Sequence, residues 1–219
     1  MKGTLNVLES CVNNNVKKLI YSSSASVYGD AIEVPMKESH PFNNKNFYGA
    51  TKIASEAICR AYYNQFGLDY VGLRYMNVYG PNQDQKAAYS GVIPTVLNKI
   101  DANEEPQVNG DGSQCYDFIY VDDVARSNLL SLESNVTDEF YNVGSGIKTS
   151  IKDLCSILLE LKNSKLNINY IPYSADDARS LVQNRIGCTN KSEKEINFKC
   201  ETALKDGLKK LIKWRLENK

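Results

Sequence analysis

Residues 21–30 read Tyr-Ser-Ser-Ser-Ala-Ser-Val-Tyr-Gly-Asp, placing the hydroxyls of Ser22, Ser23, Ser24 and Ser26 between an apolar run and a glycine turn. Serine and glycine form turns and satisfy loose backbone groups, but a hydroxyl at a strand end can also polarise a substrate oxygen. Downstream, Tyr48-Gly-Ala-Thr-Lys52 sets a phenol and an ammonium four residues apart, one above the other on a helix face. A free phenol has a pKa near ~10 and is a poor base at neutral pH, and bringing it near 7 takes roughly 4 kcal/mol. A neighbouring cation works in that direction. The same spacing also suits a solvated lysine and a half-buried tyrosine, so the pair takes its meaning from its surroundings.

Other chemistries are narrowed by what the chain lacks. His40, in Glu-Ser-His-Pro-Phe, is the only histidine, so no multi-histidine metal site exists and a Ser-His-Asp triad would rest on that residue alone. Six cysteines (Cys11, Cys59, Cys115, Cys155, Cys188, Cys200) form no C-x-x-C pair and read as reduced thiols of a cytoplasmic protein. Basic and acidic residues balance at 26 each, which gives no reason to expect nucleic acid or a membrane surface as partner. Polar residues interrupt the N-terminal segment, which does not read as a targeting signal. No apolar run approaches the roughly 20 residues of a membrane-spanning helix.

The elements that must position these side chains alternate. A helix over Thr4 to Cys11 carries Leu5, Leu8 and Val12 on one stripe, and Lys18 to Ser23 follows as a short strand. A second helix starts near Phe47, with Ile53, Ala57, Ile58, Ala61 and Tyr62 at helical spacing and Gly67 as its stop. Tyr70 to Tyr79 reads as one buried strand ended by Gly80-Pro81. Further on come a helix at 90–101, a strand at 106–109, a turn at Asn109-Gly-Asp-Gly, and a strand from Phe118 to Val121. A helix capped by Asp122-Asp123, a strand from Phe140 to Val143, a helix opened by Ser150, a strand from Asn167 to Ile171 and a final helix from about 201 complete the pattern. Such alternation predicts an α/β fold with a mostly parallel sheet.

Strand, serine cluster, Val-Tyr-Gly turn, long loop, Y-x-x-x-K helix and the strand Leu-Arg-Tyr-Met-Asn-Val-Tyr-Gly-Pro occur here in one order. With Asn109-Gly-Asp-Gly-Ser-Gln114 and Asp117-Phe-Ile-Tyr-Val-Asp-Asp123, this arrangement resembles the extended short-chain dehydrogenase/reductase family, in its nucleotide-sugar epimerase and dehydratase branch. The likeness runs from Gly3-Thr-Leu-Asn6 to the final helix. It implies a Rossmann-type parallel sheet with a smaller C-terminal α/β substrate lobe. Residues 1–80, with 117–146 returning, would form the C-terminal half of the cofactor domain, and 81–116 with 147–219 the substrate lobe. The implied activity is that of a UDP-sugar 4-epimerase, with NAD or NADP as cofactor, a nucleotide sugar as substrate and a homodimer as the full-length form. A reductase or decarboxylase of the family, or a silent sugar-nucleotide-binding remnant, stays open beside it.

By position in the family's motifs, Ser24 matches the catalytic hydroxyl, Tyr48 the base and Lys52 its helper, which also reaches the nicotinamide ribose. Ser22, Ser23 and Ser26 read as backbone-satisfying or cofactor-lining hydroxyls, and Tyr75 matches one of the positions that approach the nicotinamide. Asn77, Ala88, Tyr89 and Val92 match substrate-binding ones. Family dehydratases carry an Asp-Glu pair after the catalytic hydroxyl, and this chain has Ala25 and Ser26; neither moves the protons that eliminating water requires, which disfavours that branch. Where many relatives clamp the diphosphate with an arginine before Asp117, this chain has Tyr116, leaving Arg185 or Arg179 to supply the charge. The family's Gly-x-x-Gly-x-x-Gly turn for the cofactor pyrophosphate occurs nowhere in the 219 residues. The resemblance therefore implies an N-terminally truncated chain, whose strand at Leu19 to Ser23 would be left as an open sheet edge.

Overall fold

A computed structural model describes residues 2–83, 91–174 and 181–218. Helix α1 (Lys2–Asn13) leads into β1 (Lys18–Ser24), which ends in a 3-10 turn (Ala25–Val27). Asn46 caps α2 (Phe47–Phe66) by accepting the Gly49 N–H, and Gly67 closes it in the left-handed region at φ 68°. The chain continues through β2 (Asp69–Tyr75), β3 (Asn77–Tyr79), α3 (Val92–Asp101), β4 (Gln107–Asn109), β5 (Cys115–Tyr116), β6 (Phe118–Tyr120) and α4 (Val121–Glu133). It then forms β7 (Glu139–Val143), β8 (Thr149–Ser150), α5 (Ile151–Leu161), β9 (Asn169–Ile171), β10 (Asn184–Arg185), α6 (Asn190–Ile196) and α7 (Leu204–Glu217).

Strands β1, β2 and β7 form a parallel sheet in that order, and β1 has β2 as its one strand neighbour among the described residues. Alternation along β1 divides its side chains between two cores. Leu19 and Tyr21 pack with Leu8, Cys11, Cys59, Tyr70 and Phe140 beneath α1 and α2, whereas Ile20 packs with Val71, Leu73, Tyr141 and Val124 beneath α4. A third core joins Ile93, Val96 and Leu97 of α3 to Phe118, Tyr120, Leu154, Leu158 and Leu208. The α/β class and the parallel pairing agree with the pattern read from the sequence.

Four local expectations are corrected. Residues 70–79 are two strands: at Met76 the chain leaves β7, its N–H still on the Val143 carbonyl, and Asn77 pairs onward with β6. In α1, Leu8 and Cys11 are buried while Leu5 faces solvent. The covered face of α2 is Gly49, Ser55, Glu56 and Cys59, with Ala57 and Ala61 exposed, because a buried arginine on β2 draws Glu56 inward. The last helix starts at Leu204, and α6 precedes it. All six cysteines are free thiols, and burial pushes Cys59 up to about 12.

Two glycines bring the serine turn against α2. Gly29, at φ +67°, leaves no room for a side chain beside the Asn43 carbonyl. A Cβ on Gly49 would stand 2.5 Å from the Ser26 carbonyl oxygen and 2.9 Å from Asn44 Cβ. Gly49→Ala should therefore push α2 off the turn, costing about 1–3 kcal/mol and lowering the unfolding midpoint by several degrees (roughly 2–4 °C per kcal/mol at this size). Gly3→Ala, which meets nothing within 4 Å, serves as the control and should not lower it. Thermal unfolding followed by circular dichroism checks this, and equal midpoints for Gly49→Ala and the parent chain would contradict the close contact.

Candidate active site

The serine cluster spreads its hydroxyls in different directions because successive residues of a strand point to opposite faces. Ser22 reaches the Tyr75 hydroxyl at 3.3 Å on the side facing α4, where Tyr75 also donates to Asn128 Oδ1 at 2.9 Å. Ser23 points the other way and donates to Glu56 Oε1 at 2.5 Å. Its hydroxyl is thus engaged by Glu56, while the residue itself remains in the lining of the cleft that holds Ser24 and Tyr48. Ser24, with extended backbone, caps the 3-10 turn by accepting the Ser26 N–H, and it donates to Ser26 Oγ, both at 3.1 Å.

Ser24 and Tyr48 line one cleft of about 310 Å³ together with Tyr75, Asn77, Gln83, Val92, Pro94 and Phe118. Tyr48 sits at the first turn of α2 and is 54% exposed, so its phenol is open to a ligand. One turn on, Lys52 donates to the Ser22 carbonyl at 2.6 Å, with its ammonium 5.6 Å from the Tyr48 ring centre and 5.3 Å from that of Tyr21. Burial lowers the Lys52 pKa, and the charge of Glu56 works against that. Asn77 donates its side-chain amide to the Asp117 carbonyl at 3.1 Å, leaving one N–H and the amide oxygen for the cleft.

The other expected residues lie apart. Tyr116 and Arg185 are register partners in β5 and β10 and are not among the residues lining the cleft with Ser24 and Tyr48. The Tyr116 hydroxyl is donated to the Val182 carbonyl at 2.9 Å, and burial raises its pKa. Arg185 Nε is buried with no hydrogen-bond partner, and burial lowers the guanidinium's pKa. Ala88, Tyr89 and Arg179 lie outside the described residues. His40 is spent on structure: Nε2 accepts the Ile32 N–H at 2.9 Å and Nδ1 meets the Pro41 carbonyl at 2.8 Å, which suits a neutral ring protonated on Nδ1.

Two buried carboxylates escaped sequence reasoning. Glu56 receives Ser23 and both Nε and Nη2 of Arg74, at 3.0 and 2.8 Å. Asp117, fully buried, accepts the Ser145 hydroxyl and the backbone N–H groups of Ser145, Gly146 and Gly187. Burial raises its pKa against those donors. The signal for Glu56 was an arginine in the middle of an apolar strand, which demands a carboxylate partner.

The arrangement offers a phenol and a hydroxyl in one cleft, with an ammonium one helical turn behind the phenol, a set able to exchange a proton with a bound hydroxyl and stabilise the oxyanion. The model of the NAD-dependent epimerase/dehydratase family matches residues 1–144. A protein of Methanocaldococcus jannaschii described as a putative UDP-glucose 4-epimerase is 35% identical, over 99% of this chain and 68% of its own length. The human dTDP-D-glucose 4,6-dehydratase is 30% identical, over 99% of this chain and 61% of its own length. Thus the chain spans about two thirds or less of these two curated relatives. A solved UDP-N-acetylglucosamine 4-epimerase of Methanobrevibacter ruminantium, in complex with UDP-N-acetylmuramic acid, superposes with a TM-score of 0.93 at 33% identity, covering 100% of this chain and 69% of that one. The family model covers well over half of the chain, and relatives at 30% identity or more cover nearly all of it: this chain belongs to the NAD-dependent epimerase/dehydratase family.

Proposed function

We propose that this chain carries the acid–base and sugar-binding portion of a nucleotide-sugar 4-epimerase acting on a UDP-hexose, its N-acetyl form or its uronic acid. The observation that carries the reading is the shared cleft of Ser24 and Tyr48, with Lys52 one turn beyond. At the two positions after Ser24 stand a buried Ala25 and a Ser26 whose hydroxyl already receives Ser24. Neither residue supplies the acid–base pair that eliminating water needs. The 4-epimerases among the relatives support the same branch.

The residues present fit the nicotinamide end of NAD. Of its three N–H donors, Lys52 spends one on Ser22, leaving donors for a ribose hydroxyl, and the Ser22 and Tyr75 hydroxyls lie together nearby. When bound, the cofactor accepts a hydride from the sugar carbon and returns it. Tyr48 takes the proton of the sugar's 4-hydroxyl and later gives it back, while Ser24 turns its O–H from Ser26 to the developing oxyanion. Asn77 serves the nucleotide diphosphate from within the cleft, and Arg185, which lies outside that lining and whose buried Nε has no hydrogen-bond partner, is the arginine whose fork of donors suits the phosphates.

Three outcomes are expected. In an assembled enzyme containing the glycine-rich cofactor half, Tyr48→Phe should lower kcat at least ~10²-fold with little change in substrate affinity; near-full activity would refute Tyr48 as the base. The same enzyme, incubated with UDP-sugars and NAD+, should interconvert gluco and galacto configurations, as chromatography of the products will show. A 4-keto-6-deoxy sugar as the main product would move the chain to the dehydratase branch. Calorimetric titration of the 219-residue chain with NAD+ should give no micromolar binding, because no glycine turn is present for the pyrophosphate; stoichiometric micromolar binding would contradict that account.

A further inference from the structure

Glu56 follows Lys52 by one helical turn, as Lys52 follows Tyr48, so the three residues share one face of α2. Its side chain is 4% exposed and its carboxylate holds three donors on two strands: Ser23 of β1, and Nε and Nη2 of Arg74 of β2. Arg74 in turn donates from Nη1 to the Tyr28 hydroxyl at 2.8 Å and to the Glu38 carbonyl at 2.9 Å. Its guanidinium stacks within about 5 Å of the rings of Tyr28, Phe42 and Phe140. Tyr28 follows the serine turn and Ser23 precedes Ser24, so both ends of the segment bearing Ser24 are tied to the face bearing Tyr48 and Lys52.

We propose that Glu56 is a positioning residue for the acid–base pair: its carboxylate, clamped by Arg74, holds α2 against β1 so that Lys52 stays half-buried beside Tyr48 and on the Ser22 carbonyl. The inference rests on the reading of Tyr48 and Lys52 given above. It extends that reading to a residue that lines a second groove, with Phe42, Arg60 and Lys191. Nothing bound in the Ser24 cleft needs to touch Glu56. A bare charge and a positioning clamp have opposite signatures at Lys52. Lys52 is faced by Tyr21 from β1 and by Tyr48 and Glu56 from its own helix. With the geometry intact, removing the Glu56 charge lowers the Lys52 pKa further, because the one opposing charge is lost. If the clamp is what keeps Lys52 half-buried, removing it exposes the ammonium further to water, and the pKa rises toward the ordinary lysine value.

The experiment is an NMR titration of the full chain with ¹³C-labelled lysine, the Lys52 signal being assigned by its loss in Lys52→Met. Glu56→Gln should raise the Lys52 midpoint. Ser23→Ala, which removes only the β1 tether and leaves the Glu56–Arg74 pair, should raise it by less and keeps the test available if Glu56→Gln does not fold. In the assembled enzyme, Ser23→Ala should lower kcat several-fold with KM within about twofold. A Lys52 midpoint that falls or stays put in Ser23→Ala, or in a folded Glu56→Gln chain, overturns the proposal. Full activity of Tyr48→Phe would instead sink the reading of the site, while the lysine titration would still report on Glu56.

Discussion

A buried ion pair holds this molecule's chemistry in register. Arg74 sits on the central strand of the parallel sheet, and Glu56 on the helix above it, with side chains 5% and 4% exposed. Burial alone works against the guanidinium's charge, and the hydrogen bonds to Glu56 and Tyr28 more than reverse it, so its pKa ends above the usual arginine value. Such a pair is weak evidence for stability, since desolvation offsets most of the attraction, yet removing one partner costs about 3–5 kcal/mol. What the pair confers is geometry: one carboxylate and one guanidinium join α2, β1, β2, Tyr28 and the backbone at Glu38.

Asp117 plays a corresponding part at the other end of the cleft. Its carboxylate gathers the chain just after β7 and just after β10, while its carbonyl receives both the backbone and the side-chain N–H of Asn77. Gly144 passes so close that a Cβ there would lie 2.3 Å from the carboxylate. The core built on the parallel sheet and the core built on α3, α5 and α7 therefore meet at a residue whose polar atoms are all engaged. The cleft between Ser24, Tyr48, Asn77 and Val92 opens along that seam.

Much of this was legible from local signals. Gly67 as the stop of α2 and Ser150 as the opening of α5 act within a few residues, and both stand where the sequence placed them. Ser24, Tyr48 and Lys52 could be singled out as candidates because a helical spacing and a strand end are short-range patterns. The partnership of Glu56 with Arg74 was not found, because a glutamate in a helix reads as solvated unless its partner, far along the chain, is already known to be buried. Strands β5, β8 and β10 are two residues each, too short for any periodicity to register. The break at Met76 was hidden for another reason: the apolar run continues unaltered while its hydrogen-bond partner changes from β7 to β6.

The central claim is that one cleft removes a hydride from a single sugar carbon and the proton from the hydroxyl on that carbon, and restores each to the atom it left. The most direct measurement follows a UDP-hexose deuterated at C4 through the assembled, NAD-containing enzyme. With Tyr48 and Ser24 serving one hydroxyl, and no acid–base pair at Ala25 and Ser26, the deuterium is expected at C4 of a product inverted at that carbon. No solvent hydrogen should enter the neighbouring positions. Deuterium recovered on another carbon, with solvent hydrogen incorporated at C5, would contradict the account.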